Sequence, residues 1–552
     1  MELYQRRIAM LFPKPKKTVS TGEFVFPSEI KVSSSENIKN DVSLVFGNTV
    51  NEGNLIISFK ENRSLGEVSP EAHKISLYEK NGCLFTDIEA FSRAGLMRAL
   101  FSLKRMYIKN EFILGEITDW PSFSVRGYIE GFYGTPWKAH QRLEMLETMA
   151  LFGENTHYYA PKDDPYHRNK WRELYPEEKA YELKGLVEKA KSLEISFYYC
   201  IAPGLSMCYS DEKDFWYLTE KTKQLFSMGI KNFGLLLDDI PADLFYENDR
   251  KIYKTAPKAH GELVNKYFSF LKSLSDDCCL TVCPTSYRGK GDESELTQFT
   301  LAVPGEVKVF FTGSDICSKE ITEREAEFFT LSNKHKPLYW DNYPVNDAEM
   351  FMEMHMGPVI GREKGLYNYC DGIISNCMEY FNCNKIPLIT VGAYLWNPEE
   401  YDPEEAFGEA VSFTLKKEER EAFVLLADHL RTACLHDENS RIMGEYLSRA
   451  AVLRQTGNFP EALSVLEEYT EKIKNAAREL NSFSSEIFSE LSRWIKKFTL
   501  MSEILGIALE VLKGADKKKL LAQKTEEYNE SATVLTSFCF REYIESVLYD
   551  EN

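Results

Sequence analysis

At 552 residues the chain is too long for one core, and at about 100–200 residues per domain roughly three domains are expected. Its 43% hydrophobic and 27% charged residues are those of an ordinary globular protein. The formal charge of -19 argues against nucleic acid and anionic membranes as partners, since both would repel the chain.

No run of about 18 apolar residues offers a membrane span. The apolar patch at 8–12 is cut by Pro13, too short for a signal-peptide core of about 7–15 residues. A cytoplasmic protein is therefore expected. Several of the 12 cysteines (Cys200, Cys279, Cys283) lie in strand-like runs as small hydrophobes. Cys278-Cys279 and the Cys377/Cys383 pair lack zinc-site spacing, and no HExxH occurs. No metal and no cofactor are expected.

In chain order, residues 1–120 mix short β-like runs with one helix. FVF (24–26), VSLVF (42–46), NLIISF (54–59) and KISL (74–77) are predicted strands, and 90–107 is a predicted amphipathic helix. This is a small α+β domain. GEITDWPS (115–122) marks its end.

Residues 121–400 alternate strands and helices. The strand candidates are GYIE (127–130), THYYA (156–160), ISFYYCI (195–201), FGLLL (233–237), CLTVC (279–283), VKVFF (307–311), PLYW (337–340) and GIIS (372–375). Amphipathic helices such as 138–152 and 257–274 lie between most of them, and the helix after the seventh strand is the least clear. Eight such units predict an α/β fold, a (β/α)8 TIM barrel. Residues 401–552 change to long amphipathic helices, 440–454, 460–480, 485–512 and 517–535, broken at 457–460 and 513–516. This α-helical bundle has no sustained heptad. It is suited to packing on the barrel or to pairing two copies as a homodimer.

A barrel places functional residues just past the C-terminal ends of its strands. Here those ends carry Gly131-Phe-Tyr-Gly, Lys162-Asp-Asp, Asp238-Asp239, Tyr287, Thr312-Gly, Trp340-Asp-Asn342 and Asn376. Asp238 and Asp239 carry the most information. They close an apolar run that reads as a buried parallel strand. One alternative is a helix cap with a solvated neighbour. The other is a pair facing a cleft, in which mutual repulsion raises one pKa. A protonated acid beside a carboxylate is the equipment of a glycosidase. Asp163-Asp164 reads as structural, tying the loop after the second strand.

The segments RGYIEGFYGTPW (126–137) and NTHYYAPKDDPYHRNKWRELYP (155–176) resemble glycoside hydrolase family 84. So do LLLDDI (235–240), CPTSY (283–287), FTGSDICSKEI (311–321), WDNYPVNDAEM (340–350), ISNCMEYF (374–381) and YLWNPEEYDPEEAF (394–407). The resemblance covers the whole barrel and its edges, and the N-terminal region is similar to the small domain that precedes such barrels.

The resemblance implies a retaining exo-β-N-acetylglucosaminidase that acts on O-GlcNAc-modified protein or on β-GlcNAc-terminated glycans. The acetamido oxygen of the substrate would attack its own anomeric carbon to give an oxazoline. Asp238 would orient the acetamide, and Asp239 would serve as general acid and base. Gly131 would let the backbone approach the sugar hydroxyls, and Lys162 would bond a ring hydroxyl. Tyr287 would stand beside the acetamide, with Trp340 in the acetamide pocket. Asn342 would hold the acetamide side, Asp347 the 4- and 6-hydroxyls, and Asn376 would bind the sugar. Thr312 and Tyr133 are secondary candidates. Phe311 departs from the Trp that the family often carries before Thr-Gly, and a packing change is expected there.

Two other readings stand beside this one. A hyaluronidase-type hydrolase would want a basic groove, which the net charge does not encourage. A non-catalytic GlcNAc-binding barrel would usually have lost its acid, yet both aspartates are present.

Overall fold

The computed structural model describes residues 11–47, 49–436, 439–535 and 538–549; the first part of the apolar patch at 8–12 lies outside them. Among the described residues no helix is long and apolar enough to cross a membrane. The chain divides into two compact units. The first comprises Met1–Asn342, Gly361–Asn376 and Leu388–Ala406, the second Tyr343–Ile360, Cys377–Pro387 and Phe407–Asn552.

The first unit opens with a six-stranded sheet of β1 (Lys17–Val25), β2 (Val32–Ser34), β3 (Leu55–Glu61), β4 (His73–Lys80), β5 (Cys83–Ala90) and β6 (Phe112–Asp119). Its spatial order is β1-β6-β4-β5-β3-β2. The helix Arg93–Lys109 starts at Ser92, whose hydroxyl accepts from the Gly95 N–H. One expected strand is corrected. VSLVF (42–46) lies in the helix Lys39–Phe46. Its valines favour a strand, but Ile38 and Val42, four residues apart, are both buried, and that spacing gives a helix one buried face.

The eight expected barrel strands all form. They are β7 (Val125–Glu130), β8 (Thr156–Tyr159), β9 (Ser196–Ile201), β10 (Asn232–Leu236), β11 (Cys279–Cys283), β12 (Lys308–Phe311), β13 (Pro337–Asp341) and β14 (Gly372–Asn376). All pair in parallel, and β14 closes on β7. The interior is packed with Tyr158, Tyr198, Leu236, Phe310, Leu338 and Ile374, so the barrel has a filled core and its working surface is confined to the strand ends. Strands β7 and β8 approach so closely at Gly127 that a Cβ would lie 1.8 Å from the Thr156 carbonyl oxygen. The seventh unit departs from the repeat. Between β13 and β14 the described residues form only 3-10 turns, Ala348–Met350 and Leu366–Asn368.

A buried ionic cluster joins the sheet to the bottom of the barrel within this unit. Glu71 Oε2 accepts from Arg126 at 2.6 Å and from Arg98 at 2.7 Å, and Asn155 donates to its other oxygen. Burial alone would raise the Glu71 pKa, but Arg126 and Arg98 outweigh it and hold the carboxyl down at about 2.

The second unit is helical. Its longest helix, Phe459–Ser482, buries Leu466, Tyr469, Ile473, Ala476 and Leu480 at spacings of three and four. The stretch expected as one helix over 485–512 is two, Glu486–Glu490 and Ser492–Leu512, parted at Leu491.

Candidate active site

β10 delivers Asp238 and Asp239 to the C-terminal end of the barrel. Asp239 has φ +51°, a left-handed conformation that Asp tolerates better than most residues. The sharp turn separates two adjacent carboxylates into different surroundings. Asp238 is 8% exposed, whereas the Asp239 side chain is 37% exposed.

Lys162, from the loop after β8, sits between them. Its ammonium donates to Asp238 Oδ2 at 2.8 Å and lies 3.8 Å from Asp239 Oδ2. Burial pulls the Asp238 pKa up, but the Lys162 charge and hydrogen bond outweigh it, and the net shift is downward. Burial likewise acts to deprotonate Lys162, yet Asp238 more than compensates and keeps it charged. Repulsion between neighbours therefore does not raise the Asp238 pKa, because a cation stands in the gap. Asp238 Oδ1 is buried and has no hydrogen-bond partner among the described residues. It is a carboxylate acceptor with its capacity unused.

Asp239 is held from two sides. Tyr133 donates to Oδ2 at 2.9 Å, and Tyr287 lies 3.3 Å from Oδ1. Arg168 donates to the Tyr133 hydroxyl at 2.9 Å and to the Asp239 carbonyl at 3.3 Å. Arg168 is the residue that reading the sequence missed. The one available signal was its place on the same loop as Lys162, six positions on. Asp164 fastens that loop by accepting from the hydroxyls of Tyr159 (2.9 Å) and Tyr175 (2.6 Å) and from the Tyr166 N–H.

The opposite wall is built by β13, β14 and the turn after β7. Trp340 Nε1 donates to Asn342 Oδ1 at 3.0 Å, and Asn376 Nδ2 donates to the same oxygen at 2.9 Å. Asn342 in turn donates to the Ile316 carbonyl. Asn376 Oδ1 is a second buried oxygen of the site without a partner among the described residues. Gly131 lies against this wall, and a Cβ there would be 2.7 Å from the Trp340 ring and 3.1 Å from Asn376 Oδ1. The glycine is needed because the backbone passes so close.

The first unit thus brings together Asp238, Asp239, Lys162, Tyr133, Tyr287, Gly131, Trp340, Asn342 and Asn376. Thr312 is adjacent but committed. Its hydroxyl donates to the Asp315 carbonyl at 2.6 Å, and its N–H donates to the Tyr287 carbonyl at 2.8 Å, so it braces the loop that carries Tyr287. Asp347 heads the turn Ala348–Met350 and belongs to the second unit. Phe311 packs against Phe329, ring centroids 4.7 Å apart. Among the described residues no group of three or more His, Cys, Asp or Glu is placed to hold a metal ion.

A sequence profile of the beta-N-acetylglucosaminidase family matches residues 126–428. The protein O-GlcNAcases of Rattus norvegicus and Mus musculus are each 32% identical over 274 residues, 49% of this chain and 29% of theirs. The matched stretch is therefore less than a third of those relatives' length. Among solved structures, a mutant of the Thermobaculum terrenum O-GlcNAc hydrolase is 30% identical with a TM-score of 0.73, over 78% of this chain and 95% of that one. CpGH84B, 22% identical, shares the fold over 97% of this chain and 99% of its own, with a TM-score of 0.81. The chain belongs to the beta-N-acetylglucosaminidase family, glycoside hydrolase family 84.

Proposed function

We propose that the chain is a retaining exo-β-N-acetylglucosaminidase that removes terminal β-linked GlcNAc, from protein Ser or Thr or from glycans, by substrate-assisted catalysis. The observation that carries this reading is Asp238. One oxygen is fixed to Lys162, and the other is buried and without a partner among the described residues, so it is free to accept an N–H from a ligand. The acetamide N–H of a GlcNAc residue is such a donor. Holding it polarises the amide and directs its oxygen at C1. The amide oxygen forms the new bond to C1 as the glycosidic bond breaks, giving an oxazoline. Asp239 gives its proton to the leaving oxygen. It then takes a proton from the water that opens the oxazoline, and the acetamide is regenerated. A negative Asp238 stabilises the positive charge that develops on the amide. The names of the similar Thermobaculum terrenum, rat and mouse proteins agree with GlcNAc as the sugar.

The test is hydrolysis of aryl β-GlcNAc glycosides of varied leaving-group pKa by wild type, Asp239→Asn and Asp238→Asn. Loss of a general acid costs about 10²–10⁴-fold. The Asp239→Asn loss should concentrate on poor leaving groups, which need the proton most. Asp238→Asn should be impaired with all of them. An Asp239→Asn deficit that ignores the leaving group would remove Asp239 from its role. Binding of GlcNAc by wild type without turnover would leave a binding barrel in place of an enzyme.

A further inference from the structure

The second unit contains a cavity of about 360 Å³ between the helices Ser492–Leu512, Lys518–Glu530 and Phe538–Tyr549, together with the connection over 531–535. Its charged lining residues are Lys497 and Arg541, both cations, and among the described residues no carboxylate lines it. In a chain with 85 acidic and 66 basic residues, two cations that share a cavity and form no ion pair among the described residues are unusual company. Lys497 is 9% exposed. Its ammonium donates to the carbonyls of Ser531 (3.0 Å) and Thr533 (2.6 Å) and lies 4.3 Å from the centre of the Tyr528 ring. The carbonyls take two of its three N–H groups and leave its net charge uncompensated. Burial, reinforced by Arg541, pushes its pKa down to about 8. Arg541 forms no hydrogen bond among the described residues and is exposed. The remaining wall is mixed, with Thr432, Thr525, Asn529, Ser531 and Thr533 lining it beside apolar side chains. Phe540 and Ile544 are buried, and Phe538 stands 60% exposed on the lining.

An uncompensated cation held out of water is costly, and an incoming anion offsets that cost. A small-molecule pocket joins apolar surface to a few convergent polar groups, and here Phe540 and Ile544 lie on the same lining as the two cations. We propose that this cavity binds a small organic anion, with a carboxylate or phosphate head group on Lys497 and Arg541 and a short apolar or aromatic body against Phe540 and Ile544. At roughly 30 Å³ for each non-hydrogen atom, taking liquid water as the guide, the volume suits a ligand of about a dozen such atoms. The site is separate from the carboxylate pair and does not rest on the proposed chemistry.

The experiment is calorimetric titration of the full chain with octanoate and with phenyl phosphate, and with neutral 1-octanol for comparison. Saturable binding of at least one anion is expected, and which of the two binds names the preferred head group. Lys497→Met and Arg541→Gln should each weaken it at least tenfold. Both variants should hydrolyse 4-nitrophenyl β-GlcNAc as wild type does, which also shows that they fold. If Lys497→Met fails to fold because it loses its carbonyl contacts, Arg541→Gln alone decides, since Arg541 supports nothing else. The proposal is overturned if neither anion binds at millimolar concentration, if 1-octanol binds as tightly as octanoate, or if Arg541→Gln leaves the affinity unchanged.

Discussion

Asp238 gives one oxygen to Lys162 and keeps the other buried, without a partner among the described residues. That asymmetry makes a titration prediction. In wild type the lysine holds the Asp238 pKa below its ordinary value of 3.8 against the pull of burial, so the ionised form persists into acid. Activity that depends on ionised Asp238 is present above that depressed value and is lost as pH falls through it. In Lys162→Met burial is opposed only by the weaker effects of a backbone hydrogen bond and the Arg168 charge, and the acid limb of the pH profile should move to higher pH. At neutral pH kcat/KM should fall on the order of 10²-fold, the usual result of removing one fixed charge or donor from a transition state. Profiles of kcat/KM from pH 3 to pH 8 check both. An unmoved acid limb would mean that some other group governs it. Asp238 and Asp239 were legible because a buried strand has little reason to end in two aspartates, and the other residues of the site were read through the family resemblance. Their pairing was not legible. Lys162 and Asp238 are 76 positions apart, and nothing local in a single sequence says that they touch. Arg168 escaped notice for the same reason, since both of its partners, Tyr133 and Asp239, come from other strand ends.

At the scale of elements, the barrel strands could be read because most are short apolar runs, such as FGLLL and CLTVC, that end in polar residues and alternate with helices. The first sheet was harder. Its β5 and β6 carry mixed sequences, CLFTDIEA and FILGEITD, and one face of such strands need not be apolar. The helix Lys39–Phe46 was mistaken for a strand because local propensity is a weak prior beside burial of one face. What joins these elements is also non-local. Glu71 stands between Arg98 on the helix Arg93–Lys109 and Arg126 on β7. Replacing it with Gln leaves two buried guanidinium groups without a counter-charge, which should cost about 3–5 kcal/mol. With its folded pKa held at about 2 against the usual 4.5, Glu71 contributes stability that is complete above about pH 4.5 and fades as pH falls toward 2. Thermal unfolding of wild type and Glu71→Gln between pH 3 and pH 7 should show a large gap at pH 7 that narrows in acid. A constant gap would mean that Glu71 acts through packing rather than charge.

For the whole molecule, the change from alternating strands and helices to long helices was visible as a change in pattern along the chain. The division into compact units was less so. The segments Tyr343–Ile360 and Cys377–Pro387 leave the barrel region and group with the helical part. This is also where the seventh β/α unit lacks its helix, so the soft place in the sequence pattern marks a real departure from the repeat. Asp347 lies in that excursion. The nucleophile in the proposed reaction is the substrate's own amide, held by Asp238. The most direct measurement is kcat/KM for 4-nitrophenyl β-glucosaminides whose N-acetyl group carries zero, one, two or three fluorines. Fluorine withdraws electrons from the amide oxygen and makes it a poorer nucleophile, so a steep and monotonic fall along the series is predicted. A flat series would contradict the account and place the nucleophile on the protein or on water.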